Sequence, residues 1–212
     1  MQRTDQRNAD SNVAENAIND INATMHVAQD AAPQAALGPG RNVALIGFMG
    51  TGKSTVGRIL ARALGYVFVD SDAVIEARAG VPIRSLFMAE GETGFRRRER
   101  EVIAELSAGS GQVIATGGGA AVDPDNAAQL HAGCLVVWLT AAPEVILRRV
   151  GKARNRPLLA EAPDPYARIV EILTVREPHY ARVAHCRVET GGRRPDHIAT
   201  EIVRIYRRTI SS

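Results

Sequence analysis

Lys53 and Ser54 close the stretch Gly47-Phe48-Met49-Gly50-Thr51-Gly52-Lys53-Ser54, which fits the spacing G-x-x-x-x-G-K-[ST]. That spacing serves one kind of chemistry. Successive backbone N–H groups of a glycine-rich turn converge on phosphate oxygens at the positive end of a helix dipole, and small residues keep Cβ atoms out of the way. A lysine at the seventh position reaches β and γ phosphates, and the hydroxyl after it ligates magnesium. A plain helix-capping turn is the bland alternative. The flanks favour the phosphate loop: Val43-Ala44-Leu45-Ile46 reads as a buried strand, and Val56, Ile59, Leu60, Ala63 and Leu64 recur at helical spacing after it.

A second group of reactive residues stands where another apolar run stops. Tyr66-Val67-Phe68-Val69 ends in Asp70-Ser71-Asp72. Asp70 suits the shell of a magnesium ion, which takes few carboxylates and keeps most of its waters. Asp72 suits the acceptance of a proton from an attacking hydroxyl, or its orientation, in phosphoryl transfer. Ser and Asp are also favoured helix N-caps, and capping and chemistry can coexist here.

Three further segments carry candidate chemistry. Glu90 to Glu101 is a dense charge run holding Arg96, in which most charges are expected on a solvated face laced by pairs such as Arg97 with Glu101. Gly117-Gly118-Gly119 follows the strand-like Gln112-Val113-Ile114-Ala115 and allows backbone to approach a ligand closely; a plain flexible loop is the equal alternative. Arg148 to Leu159 is basic and broken by Gly and Pro, a composition suited to a lid that excludes water over a transferring phosphoryl group. Arg176, ahead of Pro178-His179-Tyr180, points either to solvent or into a cleft. His179 and His185 show no partner pattern and receive no role.

The elements that must hold these residues follow from periodicity. Short apolar runs at 43–46, 66–69, 112–115, 134–139 and 186–189 predict strands, and helical spacing predicts helices at 53–64, 72–79, 92–108, 143–150, 165–183 and 195–209. Alternation of the two with short links predicts an α/β fold with a mostly parallel sheet covered on both faces, whose ligands bind outside the carboxyl ends of the strands. Residues 1–40, rich in Asn, Ala, Gln and Asp and ending in Ala-Leu-Gly-Pro-Gly, predict a flexible arm and linker.

Bulk properties narrow the classes. The chain of 212 residues suffices for one good core. No apolar run approaches the ~20 residues of a membrane span, and no basic-then-apolar leader pattern is present, so a cytoplasmic enzyme without membrane partners is expected. Cys134 and Cys186 have no metal-ligand spacing and read as buried thiols. Residues 1–40 carry two Arg against five Asp and Glu, a net −3 that leaves +6 for the rest. Such a field suits ATP and a small anion as well as nucleic acid, and aromatic content of 4% is low for stacking on bases. Lys53 and Lys152 are the only lysines, so general basicity is written in arginine.

The succession G-F-M-G-T-G-K-S-T, D-S-D, G-E-x-x-F-R, G-G-G, R-P-L-L and R-x-P-x-Y closely resembles shikimate kinase over about residues 41–210. The resemblance implies a P-loop, nucleoside-monophosphate-kinase-like fold with a five-stranded parallel sheet flanked by helices, in a domain spanning 41–212 with a lid at about 151–164. It implies transfer of the ATP γ-phosphoryl group to the 3-hydroxyl of shikimate, in the pathway to chorismate and aromatic amino acids, by a cytoplasmic monomer with one Mg²⁺.

Carried over residue by residue, the resemblance implies ATP binding by Gly50, Thr51, Gly52, Lys53, Ser54, Thr55, Arg149, Arg156 and Arg193. Ser54 would ligate the metal directly and Asp70 through water. Asp72, Phe95, Arg96, Gly117, Gly118, Gly119 and Arg176 would hold shikimate, with Lys53, Asp72 and Arg156 taking part in the chemistry. Arg96 and Arg176 would clamp the substrate carboxylate, a task for which planar guanidinium is suited.

Three other readings stay open on sequence. A gluconate kinase of the same fold shares the phosphate loop but has no reason to combine it with the later motifs. A silent nucleotide-binding module predicts loss of Lys53, Asp70, Asp72 or Arg156, all of which are present. A nucleic-acid binder rests on the basic balance alone.

Overall fold

The computed structural model describes residues 40–150, 159 and 162–211. Five strands, β1 (Asn42–Ile46), β2 (Val67–Asp70), β3 (Gln112–Ala115), β4 (Cys134–Thr140) and β5 (Cys186–Glu189), form one sheet in the order β2-β3-β1-β4-β5. Every neighbouring pair is parallel. Among the described residues the helices are α1 (Lys53–Leu64), α2 (Ser71–Ala79), α3 (Ile83–Ala108), α4 (Pro124–Gly133), α5 (Pro143–Val150), α6 (Pro165–Val183) and α7 (Pro195–Ile210), with a 3₁₀ turn at Ala120–Val122.

Strand alternation divides the core into two layers. Val43, Leu45, Val113, Leu135, Val137, Leu139 and Val188 face one side, where Val56, Leu60 and Ala61 of α1 and Ile198, Ile202 and Tyr206 of α7 pack on them. Leu60 is fully buried there, and truncation to Ala would cost about 2–5 kcal/mol. Residues of opposite parity, such as Ala44, Ile46, Val136 and Trp138, are equally buried on the other side. There Trp138 packs against Tyr180 of α6, with ring centroids 5.9 Å apart. The two-faced burial accounts for the near-continuous apolar strands.

The expected strands and helices are present, with two differences. Pro124–Gly133 is an additional helix, started by Asp123, whose carboxylate accepts the Asp125 and Asn126 N–H groups, and by Pro124 at its first turn. Helix α3 begins at Ile83 rather than near residue 92 and bends at Gly91, whose φ of 66° is left-handed. The bend lets Glu90 reach Arg98 at 2.6 Å and Arg97 at 3.9 Å, so Arg97 pairs with Glu90 and not with Glu101. Residues 1–39 of the expected arm, and most of the expected lid including Arg156, lie outside the described residues.

The sheet order decides where ligands bind. The chain leaves β1 for the edge strand β2, returns to β3, and then crosses β1 to reach β4. The loop after β1 therefore hangs at the point where the winding reverses, outside the carboxyl ends of the strands.

Candidate active site

The 47–52 loop is shaped by close packing. Gly47, with φ of 129°, lies so near β4 that a Cβ would meet the Leu139 carbonyl oxygen at 2.3 Å; Gly50, with φ of 77°, would meet Val150 at 2.7 Å. Gly52, at φ 96°, forms the N-cap of α1. Thr51 is buried and donates to the Phe48 carbonyl at 2.8 Å, fixing the turn from within. Lys53 curls over the loop, and its ammonium donates to the Gly47 and Phe48 carbonyls at 2.8 and 2.9 Å.

Asp70 joins the loop to the second strand end. One carboxylate oxygen accepts the Ser54 hydroxyl at 3.0 Å, and the other caps α2 by accepting the Asp72 N–H at 3.2 Å. Capping and a metal role are thus compatible in one side chain. Ser54 Oγ and Asp70 Oδ2 are hard oxygen donors side by side at the mouth of the loop, the chemistry that suits Mg²⁺.

Asp72 is the site's most perturbed carboxylate. Burial, then the neighbouring Asp70 and Glu99, push its pKa up to about 6, against the opposing pull of Lys53. Its Oδ1 is buried with no hydrogen-bond partner. Gly117 makes room for it: a Cβ there would lie 2.7 Å from this oxygen.

Gly50, Thr51, Gly52, Lys53, Ser54, Thr55, Asp70, Asp72, Gly118, Arg149 and Arg193 all line one cavity of about 790 Å³. Arg149 braces its walls, donating to Gly50 O at 3.0 Å and to Thr190 O at 2.8 Å. Arg193 pairs with Glu201 at 2.5 Å and donates to Glu189 O at 3.0 Å.

Arg96 and Arg176 approach the glycine turn. Arg96 would contact a Cβ at Gly119 at 2.9 Å, and Arg176 donates to Gly118 O at 3.2 Å. Phe95 is buried beneath, stacked on Phe87 at 4.6 Å, with the Arg96 guanidinium 5.5 Å from its ring centre. Among the expected site residues, Arg156 alone falls outside the described chain.

Glu99 carries no motif signal in the sequence, and Tyr180 enters only as the last residue of R-x-P-x-Y, with no role of its own. Glu99 is 1% exposed and holds Arg96 Nη1 at 2.6 Å. Burial raises its pKa, opposed by Arg96. Tyr180 is equally buried and donates to the Gly118 carbonyl.

A phosphate loop at the reversal point of a parallel sheet, with two carboxylates on the next strand end and arginines across a glycine turn, defines an α/β phosphotransferase of the P-loop kinase class. A shikimate kinase family model matches residues 49–207. The shikimate kinase of Geobacter sulfurreducens is 49% identical over 168 residues, covering 79% of this chain and 92% of that protein. Among solved structures, the shikimate kinase from Acinetobacter baumannii in complex with shikimate superposes with a TM-score of 0.76 at 40% identity, covering 79% and 93% of the two chains. A gluconokinase from Sinorhizobium meliloti, 18% identical with a TM-score of 0.53 over 82% and 96% of the chains, shares the fold alone. The chain belongs to the shikimate kinase family.

Proposed function

We propose that the protein transfers the γ-phosphoryl group of ATP to the 3-hydroxyl of shikimate, giving shikimate 3-phosphate and ADP, and so serves the pathway to chorismate and aromatic amino acids. One observation carries the reading: Asp72 lines the cavity of the phosphate loop, and its buried, unpartnered oxygen lies against Gly117 of the glycine turn that Arg96 and Arg176 approach. A donor cradle and a cationic acceptor pocket thus meet at one carboxylate.

The loop N–H groups from Gly50 to Thr55 and the Lys53 ammonium bind the β and γ phosphates, with Arg149 and Arg193 along the nucleotide's other end. Ser54 would hold Mg²⁺ directly and Asp70 through water; the ion, when bound, neutralises charge on the phosphate oxygens. Arg96 and Arg176 bind the substrate carboxylate, Phe95 packs beside the ring, and the backbone of Gly117, Gly118 and Gly119 meets its hydroxyls. Asp72 orients the 3-hydroxyl and takes its proton as the phosphoryl group arrives; with a pKa near 6 it is ionised at neutral pH yet basic enough to accept. Arg156, outside the described residues, would add positive charge to the transferring group. The same reading takes in a cytoplasmic monomer with its kinase domain at 41–212.

A coupled steady-state assay with ATP and Mg²⁺ tests it. Turnover with shikimate and none with gluconate is expected; the reverse outcome would sink the assignment.

A further inference from the structure

The glycine turn is gripped from two sides by buried hydroxyls. Ser71, the middle residue of D-S-D and fully buried, accepts the Gly117 N–H at 3.1 Å. Tyr180, on α6, donates its phenol to the Gly118 carbonyl, the same oxygen that accepts Arg176 Nη1 at 3.2 Å. Neither hydroxyl belongs to the lining of the cavity.

Three consecutive glycines have the greatest conformational freedom to lose and no side chains with which to fix their own shape. A Cβ at Gly117 would press on the Asp72 carboxylate and one at Gly119 on the Arg96 guanidinium, so a side chain there would displace the site's own groups. The shape of the turn must therefore come from its neighbours. Ser71 is adjacent to Asp72 in the chain, and Tyr180 stands one helical turn beyond Arg176.

We propose that Ser71 and Tyr180 are positioning residues for the acceptor, setting the Gly117–Gly119 backbone in register with Asp72 on one side and Arg176 on the other. This rests on the reading of the acceptor pocket given above. Ser71 locks the turn to the carboxylate that faces the reacting hydroxyl, and Tyr180 locks it to the guanidinium that holds the substrate carboxylate. The acceptor then meets a frame of fixed dimensions. Misplacement of such a frame by an ångström carries large losses in reactivity. Burial pushes the Tyr180 hydroxyl up to about 12, so it remains a donor across the working pH range.

Tyr180→Phe and Ser71→Ala, made in the full chain, test the role with two readouts. The first is amide hydrogen exchange over residues 116–120 without substrate; an increase of about fivefold or more is expected in each variant, as one hydrogen bond's net worth implies. The second is kinetic: the shikimate KM should rise about fivefold or more while the ATP KM stays within about twofold and the pH profile keeps its shape. Unchanged exchange with an active wild type overturns the positioning role. So does a rise in ATP KM equal to that for shikimate, the mark of a general structural defect. A wild-type chain inert towards shikimate overturns the reaction assigned above and this role with it, an outcome distinguishable from the other two.

Discussion

The Glu99 carboxylate holds the Arg96 guanidinium at 2.6 Å from a position 1% exposed to solvent. A second, looser contact joins Arg96 to Glu92 at 3.3 Å on the exposed side. The buried partner fixes which way the guanidinium faces.

Glu99→Gln should therefore loosen Arg96 without removing it. The expected result is a shikimate KM raised about tenfold with the ATP KM unchanged, as loss of a charge-assisted hydrogen bond implies. Arg96→Lys should also raise the shikimate KM, because one ammonium cannot reproduce a two-point carboxylate clamp. Unaltered KM values in both variants would remove Arg96 from the acceptor site.

Lys53→Ala should lower kcat by about 100-fold or more through loss of phosphate stabilisation. Single-turnover measurement at saturating substrates isolates the chemical step. Turnover within about tenfold of wild type would disprove the role.

Asp72→Asn should lower activity by about 100-fold or more and at the same time raise the melting temperature near pH 7. The sign follows from linkage. The folded-state pKa, about 6, lies above the ordinary 3.8, so between these values the folded protein binds more protons than the unfolded chain. Stability from this group is therefore lost as pH rises through that window, and the ionised carboxylate is destabilising at pH 7. The stabilising effect of Asn should shrink towards pH 4. Activity of the wild type should rise as pH passes upward through about 6.

His185 works in the opposite direction. Its ring stacks on His131 at 4.3 Å, and its Nδ1 accepts the Val136 N–H at 3.0 Å. Burial, then His131 and Arg41, lower its pKa from 6.5 to about 4. The folded state thus binds fewer protons than the unfolded chain between these values, and stability falls as pH drops from 6.5 towards 4. His185→Asn, which keeps an acceptor for Val136 but does not titrate, should flatten the melting-temperature profile in that window. An unchanged slope would disprove the linkage.

Much of this site was legible in the sequence because its chemistry stands at strand ends. The apolar runs ending at Ile46, Val69 and Ala115 each stop within a residue or so of the loop that carries function, and each forms the expected strand. Glu99 was hidden by its company. Amid Arg96, Arg97, Arg98, Arg100 and Glu101 it reads as one more solvated charge, yet it lies on the buried stripe of Phe95, Val102, Ile103 and Leu106. Helical spacing from Phe95 was the available signal. Tyr180, the end of R-x-P-x-Y, and His185 are visible as residues but not in their roles, because their partners, Gly118 and His131, are distant in sequence and met only through the fold. The helix at Pro124 had its own marker, Asp-Pro at a helix start.

The sheet order also sets a timetable for synthesis. Val43 of β1 pairs with Val113 and Leu135, so the strand that carries the phosphate loop has no local partner. Such long-range pairing is slow and comes late in folding. A growing chain contains the complete nucleotide motif long before it has made β4. ATP affinity should therefore appear abruptly in a series of lengthening nascent chains, after β4 and the later Arg193 and α7 have emerged.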